Sequence, residues 1–352
     1  MTFELRTESR RFPTPHPEED GTLRWDATTA VVVTIAAGDH TGLGWTYGHR
    51  AATEVIDTVL RSALHDDDLA DPPRCWQAMV RACRNVGSTG LVMQAISAVD
   101  IALWDLRART LDVGLTTLWG EMHSRVEVYG SGGFVNEDAE QLRGYVDEWS
   151  RLGCRGMKIK IGEAGGTAIE RDLSRATALV DQAPTGADCM VDANGAYTRG
   201  QAVRVGHELD RMGITWFEEP VTSDDLVGLA SLRERLDCDV TAGEYVWNIT
   251  DAERTAPAVD CLQLDVTRCG GYTAWFRCAG IAAAHHLDVS AHCAPALHTP
   301  VAAATPNIRH IEYFADHARL EPHLADGVPE VIDGALKPSA SAGHGMTLAA
   351  AH

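Results

Sequence analysis

The chain has 352 residues, 45% of them hydrophobic and 23% charged, with a formal net charge of −20 at neutral pH. Those fractions suit a soluble globular protein, and the length is too great for one small core but fits a barrel-sized domain with a smaller companion. The acidic balance excludes nucleic acid as a partner, because phosphates would be repelled instead of neutralised.

The first residues, Met1-Thr-Phe-Glu-Leu-Arg-Thr-Glu-Ser-Arg, contain no apolar run of the secretory kind, and no stretch of the sequence is apolar for long enough to cross a bilayer. Arg10 to Gly21 is rich in proline and charge and reads as a mobile loop. Val31-Val-Val-Thr-Ile-Ala reads as a strand, and Gly38-Asp39 with Gly42 predicts a hairpin into Leu43-Gly-Trp. Ala95, Ile96, Val99, Leu103 and Leu106 then recur on one face of a helix expected to end near Leu111.

From about Val126 the pattern becomes strand, loop, helix, repeated. Strands are expected to begin near Val126, Met157, Cys189, Ile214, Val240, Cys261, Asp288 and Arg309, with helices such as 137–152, 168–180 and 201–212 between them. A unit of roughly twenty to thirty residues is that of successive βα crossovers, and eight such strands close into a barrel. No helix is evident after the last strand, where the chain turns rich in proline and glycine from about Asp316. The rival, a Rossmann-like open sheet, would carry a glycine-rich phosphate loop; Gly162-Glu-Ala-Gly-Gly resembles one only loosely, and no G-x-G-x-x-G occurs. The nine cysteines form no C-x-x-C pair, and several lie inside apolar runs, as expected of reduced thiols in a cytoplasmic protein.

Acidic residues end five of the later strands: Asp192, Glu218, Glu244, Asp265 and Glu312. In a barrel these ends converge on one mouth, where clustered charge costs stability unless something binds there. Asp192, Glu218 and Glu244 end three consecutive strands, and three hard oxygens from adjacent staves suit Mg²⁺; the alternative is that each caps a helix or pairs with a neighbouring cation. Lys158 and Lys160 are two apart on one strand and so share its inner face, where mutual repulsion and desolvation are expected to depress their pKa values and make a general base. The alternative for this pair is charge balance for the facing carboxylates, which can hold for Lys158 even if Lys160 is catalytic. His292 ends the strand beside Asp265, and a carboxylate on one ring nitrogen leaves the other poised for proton transfer. His298, in the loop that follows, is within reach of a substrate, whereas His285, His286, His310 and His317 read as surface or packing residues.

The string Lys158-Ile-Lys-Ile-Gly, Val191-Asp-Ala-Asn-Gly, Trp216-Phe-Glu-Glu-Pro, Ala242-Gly-Glu, Leu264-Asp-Val-Thr-Arg-Cys-Gly-Gly, Ser290-Ala-His and Ile311-Glu-Tyr resembles the enolase superfamily, and within it the mandelate racemase subgroup. Ala98-Val-Asp-Ile-Ala-Leu-Trp-Asp-Leu extends the resemblance into the first third, so that it spans nearly the whole chain. The resemblance implies an α/β fold: a (β/α)7β modified barrel over 121–317 under an α+β cap made of 1–120 with the tail 318–352. It implies Mg²⁺ on Asp192, Glu218 and Glu244, Lys160 with its neighbour Lys158 as one base, and His292 with Asp265 as the other. Glu312 matches the acid that hydrogen-bonds the substrate carboxylate in its protonated form; Asn194 and Arg268 match polar positions around the mouth.

The implied step is removal of the proton α to a carboxylate, a case in which a Lys or His base works beside Mg²⁺. Its continuation separates a dehydratase of acid sugars, the expected outcome, from a racemase or epimerase and from a cycloisomerase; a non-catalytic metal-binding scaffold is the remaining class. The cap of this family shapes specificity, which directs attention to His16 with Arg10 and Arg11 in the 10–21 loop, to Arg50, and to Trp45 and Tyr47, the last two equally readable as packing. Cys293-Ala-Pro-Ala-Leu-His-Thr-Pro departs from the mandelate-specific enzyme and argues against mandelate itself as the substrate. The partner is thus a small carboxylate, with neither nucleic acid nor membrane, and the family favours symmetric homo-oligomers.

Overall fold

The computed structural model describes residues 3–350; Met1 and Thr2, the first residues of the N-terminal segment read above, lie outside them. The chain opens with an antiparallel sheet of three strands in sequence order, β1 (Glu4–Glu19), β2 (Arg24–Ala37) and β3 (His40–Tyr47). Ala37 pairs with His40 around Gly38-Asp39, with Gly38 at φ +59°, a two-residue turn that needs the left-handed backbone at its first position. The 10–21 segment is not a loop: it continues β1, with Arg10 to Pro13 paired to β2 and a register shift before Glu18. β1 is an edge strand with β2 as its one neighbour, a position that tolerates proline, and Pro15 and Pro17 fall within the register shift.

Alternate residues of β2 serve two cores. Val31, Val33 and Ile35 pack with Ile96, Val99 and Leu103 of the helix Leu91–Thr110, while Ala30 and Val32 face the barrel side with Leu43 and Trp45. The helix rides directly on β3: a Cβ at Gly42 or Gly44 would stand 2.1 Å or 2.3 Å from a helix carbonyl, so only glycine permits this approach.

Eight parallel strands follow: β4 (Val126–Gly132), β5 (Gly156–Lys160), β6 (Asp188–Asp192), β7 (Trp216–Glu218), β8 (Asp239–Ala242), β9 (Cys261–Leu264), β10 (Asp288–Ala291) and β11 (Ile308–Phe314). Each pairs with the next, and β11 pairs back to β4 through Ile311 to Phe314, closing the barrel. Local chemistry punctuates the units. Asp138 and Thr198 make reciprocal capping boxes with Gln141 and Gln201, and Gly153 and Gly213 end the same helices in the left-handed conformation.

The absence of a helix after the last strand is corrected, because Ala315–Leu324 is helical. Its signal is masked by Asp316, His317 and Glu321, polar residues buried on its inward side, and by Pro322. Beyond it, Ala335–Leu336 adds antiparallel to β4, and the buried Asp105 accepts the Leu43 and His344 N–H groups at 2.9 Å each, joining sheet, helix and tail. All nine cysteines are free and buried, and among the described residues no helix is long and apolar enough to cross a membrane.

Candidate active site

Strand register sets the site. Lys160 pairs with Asp192 across β5–β6, and Asp192 with Glu218 across β6–β7, so these side chains stand at one level at the barrel mouth. Glu244 lies just past β8, after Gly243 at φ +136°, where a Cβ would come within 2.2 Å of the Gln263 carbonyl. One carboxylate oxygen from each of Asp192, Glu218 and Glu244 falls within 4.8 Å of the others, and all three residues are buried. Asp192 also accepts the Asn194 N–H at 2.8 Å; Asn194, at φ +46°, keeps its own Oδ1 unpartnered.

Both lysines project inward from β5, but their expected depression is corrected. Lys158 Nζ lies 2.5 Å from Glu218 and 2.8 Å from Glu312, and Lys160 pairs with Asp192. Burial lowers each ammonium pKa, yet the attraction of these carboxylates outweighs it, and both groups are held above the usual lysine value. Opposite charge at contact distance dominates over repulsion between two ammonium groups.

Across the mouth, His292 Nδ1 meets Asp265 at 2.9 Å, and Asp265 is itself fixed by the Thr267 N–H and hydroxyl, each at 2.7 Å. Burial would raise the Asp265 pKa, but the His292 hydrogen bond and charge bring it to about 2. The other ring nitrogen, Nε2, lies 3.1 Å from Glu244. Burial disfavours an imidazolium here, yet Cys293, Glu244 and the hydrogen bond to Asp265 together raise the His292 pKa well above its ordinary value. Arg268 spans Glu244 at 2.9 Å and Asp265 at 3.4 Å, tying the dyad to the carboxylate trio.

Glu312 accepts from Ser131 at 2.6 Å, the Cys293 N–H at 2.9 Å and Lys158. Burial opposes its charge, but Lys158, His292 and Lys160 together hold it well below the carboxylate range. In this arrangement Glu312 accepts at both carboxylate oxygens, from Ser131 and Lys158 on one and from the Cys293 N–H on the other. Glu219, Ser131 and Cys293 also belong to the site. The sequence marks Glu219 only as the second member of a Glu-Glu-Pro doublet; here it is buried at φ +38° with Oε1 unpartnered.

The remaining candidates stand elsewhere. His298 is fully buried with Nε2 accepting the Val266 N–H at 2.9 Å and Nδ1 2.8 Å from the Cys293 carbonyl, so neither nitrogen is open to a ligand. Trp45 is core, its indole N–H bonded to Tyr47 at 3.0 Å; Tyr47 in turn donates to Glu321 and stacks on His317 at 3.7 Å. Both are packing residues. His16 bonds Glu137 at 2.9 Å and borders a separate cavity of about 400 Å³ with Glu18, Tyr145 and Arg319. A cavity of about 440 Å³ at the mouth is lined instead by Thr22, Asn194, Glu219, Thr222, Tyr245 and Trp247. His310 is half-buried and is a packing residue: it lies against Tyr129 and Trp216, and desolvation lowers its pKa to about 3.

The donor set fits a hard divalent cation. All three converging ligand atoms are carboxylate oxygens, and Glu218 keeps Oε1 buried without a partner while its Oε2 takes Lys158 and the Trp216 N–H. Burial, and then Asp192, push the Glu218 pKa to about 7, so nearby positive charge would stabilise the ionised form.

Comparison with known proteins agrees with this architecture. Residues 8–120 match the mandelate racemase / muconate lactonizing enzyme N-terminal domain, and residues 138–352 match the enolase C-terminal domain-like family. The chain is 30% identical over 318 residues to L-talarate/galactarate dehydratase of Salmonella typhimurium LT2, covering 87% of this chain and 77% of the relative. It superposes with TM-score 0.94 and 40% identity on a mandelate racemase/muconate lactonizing enzyme-like protein from Rubrobacter xylanophilus, covering 98% and 96% of the two chains. With a racemase from Streptomyces coelicolor A3(2), crystallised with bound magnesium, the TM-score is 0.91 at 30% identity over 98% and 96%.

Proposed function

The chain belongs to the mandelate racemase / muconate lactonizing enzyme family of the enolase superfamily, and on that premise we propose that it is a Mg²⁺-dependent enzyme removing the proton α to a carboxylate. The observation that carries the reading is the convergence of Asp192, Glu218 and Glu244 between Lys160 on one side and His292–Asp265 on the other. Those three carboxylates would hold Mg²⁺, which when bound supplies electrostatic stabilisation to an enediolate. With Asp192 engaged as a ligand, the attraction keeping Lys160 protonated weakens, which suits Lys160 to accept a proton. Asp265 fixes the ring of His292, leaving Nε2 to deliver or take a proton at the opposite face. Arg268 positions Glu244 and Asp265, Lys158 and Ser131 hold Glu312, and Asn194 lines the mouth cavity.

Acid-sugar dehydration is the preferred continuation, in which His292 protonates a departing β-hydroxyl and a 2-keto acid results. It is supported by the similarity to a talarate/galactarate dehydratase. Racemisation or epimerisation is the second reading, supported by bases on separate staves, β5 and β10, three apart around the mouth, with cycloisomerisation a third outcome of the same residues. Incubation of an acid-sugar library with Mg²⁺ in D₂O, followed by NMR, tests this. Loss of water to a 2-keto product supports the dehydratase, α-deuteration without it supports the racemase, and neither across the library refutes the reading. We further divide the chain into a cap of 1–120 with 318–352 and a barrel of 121–317. A cytoplasmic homo-oligomer is the assembly we infer, from nine unpaired buried thiols and the closed symmetry usual for soluble oligomers.

A further inference from the structure

The β10–β11 side of the mouth holds a second constellation with different donor atoms. Cys293 directly follows His292 and adopts φ +52°, a backbone region rare for any residue with a Cβ. The turn folds its Sγ against the Nε2 edge of the imidazole. Sγ lies 3.3 Å from His292 Nε2 and 3.5 Å from Glu312 Oε2, and Nε2 and Oε2 are 3.9 Å apart. One nitrogen, one sulfur and one carboxylate oxygen, all on buried residues, thus form a compact triangle.

Tetrahedral zinc binds such atoms at about 2.0–2.3 Å, which places neighbouring ligand atoms about 3.3–3.6 Å apart. Two sides of the triangle have that length, and the third needs a movement of only about half an ångström. The nitrogen–sulfur–oxygen set also differs in kind from the all-oxygen trio: imidazole and thiolate select zinc or cobalt, where three carboxylates select magnesium. Glu312 is pre-aimed, since Ser131 and Lys158 occupy Oε1 and the Cys293 N–H orients Oε2. Lys158 opposes a further cation nearby, but metal binding sends the thiol proton to solvent and leaves a compensating negative sulfur.

We propose that His292, Cys293 and Glu312 form a second, zinc-class metal site beside the three-carboxylate site, and that its occupation arrests turnover by sequestering His292 Nε2. The site stands on its own geometry; the arrest rests on the acid/base role proposed above for His292. Glu244, 3.1 Å from the same nitrogen, makes the two sites neighbours.

Cobalt(II) is the probe, added to the full-length protein in excess Mg²⁺. Thiolate ligation gives a sulfur-to-cobalt charge-transfer band in the near ultraviolet that ligation by oxygen does not. The band is expected in the wild type, is expected to persist in Glu244→Gln, and is expected to yield to added Zn²⁺. Cys293→Ala should abolish it and weaken zinc binding, read by a chromophoric chelator, by at least about tenfold. Retained Mn²⁺ binding in that variant, read by electron paramagnetic resonance, shows that the fold and the carboxylate trio survive; Cys293→Ser provides a second, near-isosteric variant. No band at saturating cobalt in the wild type, or a band that survives Cys293→Ala, overturns the site. A band accompanied by turnover that zinc leaves untouched overturns the arrest and counts against the acid/base role of His292, while the site itself stands.

Discussion

Two groups of buried acids, one at the barrel mouth and one at the seam between β1 and the last helix, use the same residue types to different ends. At the seam, Glu18 accepts the Trp25 indole N–H at 2.8 Å, and Asp316 takes Thr28 and Arg319. Glu137 there engages His16, Tyr145 and the Phe134 N–H. At the mouth, Glu218 and Glu219 each keep one buried oxygen without a donor. Perturbed acidity does not separate the two groups: burial brings Glu18 to about 8 and Glu218 to about 7. Convergence does. Asp192, Glu218 and Glu244 bring one oxygen each within 4.8 Å of the others, and Glu218 keeps a spare oxygen, even though Asp192 and Glu244 are held by Lys160, Arg268 and His292. The seam acids are each tied to donors of their own chain and belong to the framework.

The largest test of that contrast is on turnover. Lys160→Ala and His292→Asn should each reduce it by about 10²–10⁴-fold or more on the true substrate while circular dichroism shows an intact fold; full activity in either variant would remove that residue from the chemistry. Next, Glu244→Gln should weaken Mg²⁺ binding about 10–100-fold by calorimetry, while Glu137→Gln at the seam leaves it unchanged. Equal affinities in the two variants would erase the distinction between the groups.

The converse effect is smaller and appears in stability. Glu137→Ala strands donors on three elements and should lower unfolding free energy by about 1–3 kcal/mol in urea, with Mg²⁺ affinity retained. The last effect is on pH. Glu18 has its folded-state pKa raised from 4.5 to about 8, so between those values the native state binds more protons than the unfolded chain. Stability from this group therefore falls as pH rises through the window, and Glu18→Gln should flatten that part of the melting-temperature profile. A profile identical to wild type would show that Glu18 ionises freely at the seam.

Much of the site was legible because barrel geometry converts sequence position into direction. A carboxylate one residue past a short apolar run must lie at the strand end, and Asp192, Glu218 and Glu244 meet for that reason. The same rule sent Lys158 and Lys160 inward and set His292 beside Asp265. It failed for His298, which a helical turn carries into the core, and for the 10–21 segment, whose prolines sit harmlessly on an edge strand.

Period and strand-end chemistry, carried by the chain alone, therefore determined the barrel, its mouth and the identity of the converging acids and bases. Only the tertiary structure decided their charge partners: Lys158 between Glu218 and Glu312, Glu312 accepting at both oxygens, Cys293 turned onto His292. The physical reason is range. Alternation along a strand is a local property of the backbone, but a buried group's protonation and contacts depend on atoms from several strands at once, whose distances exist only after the barrel closes.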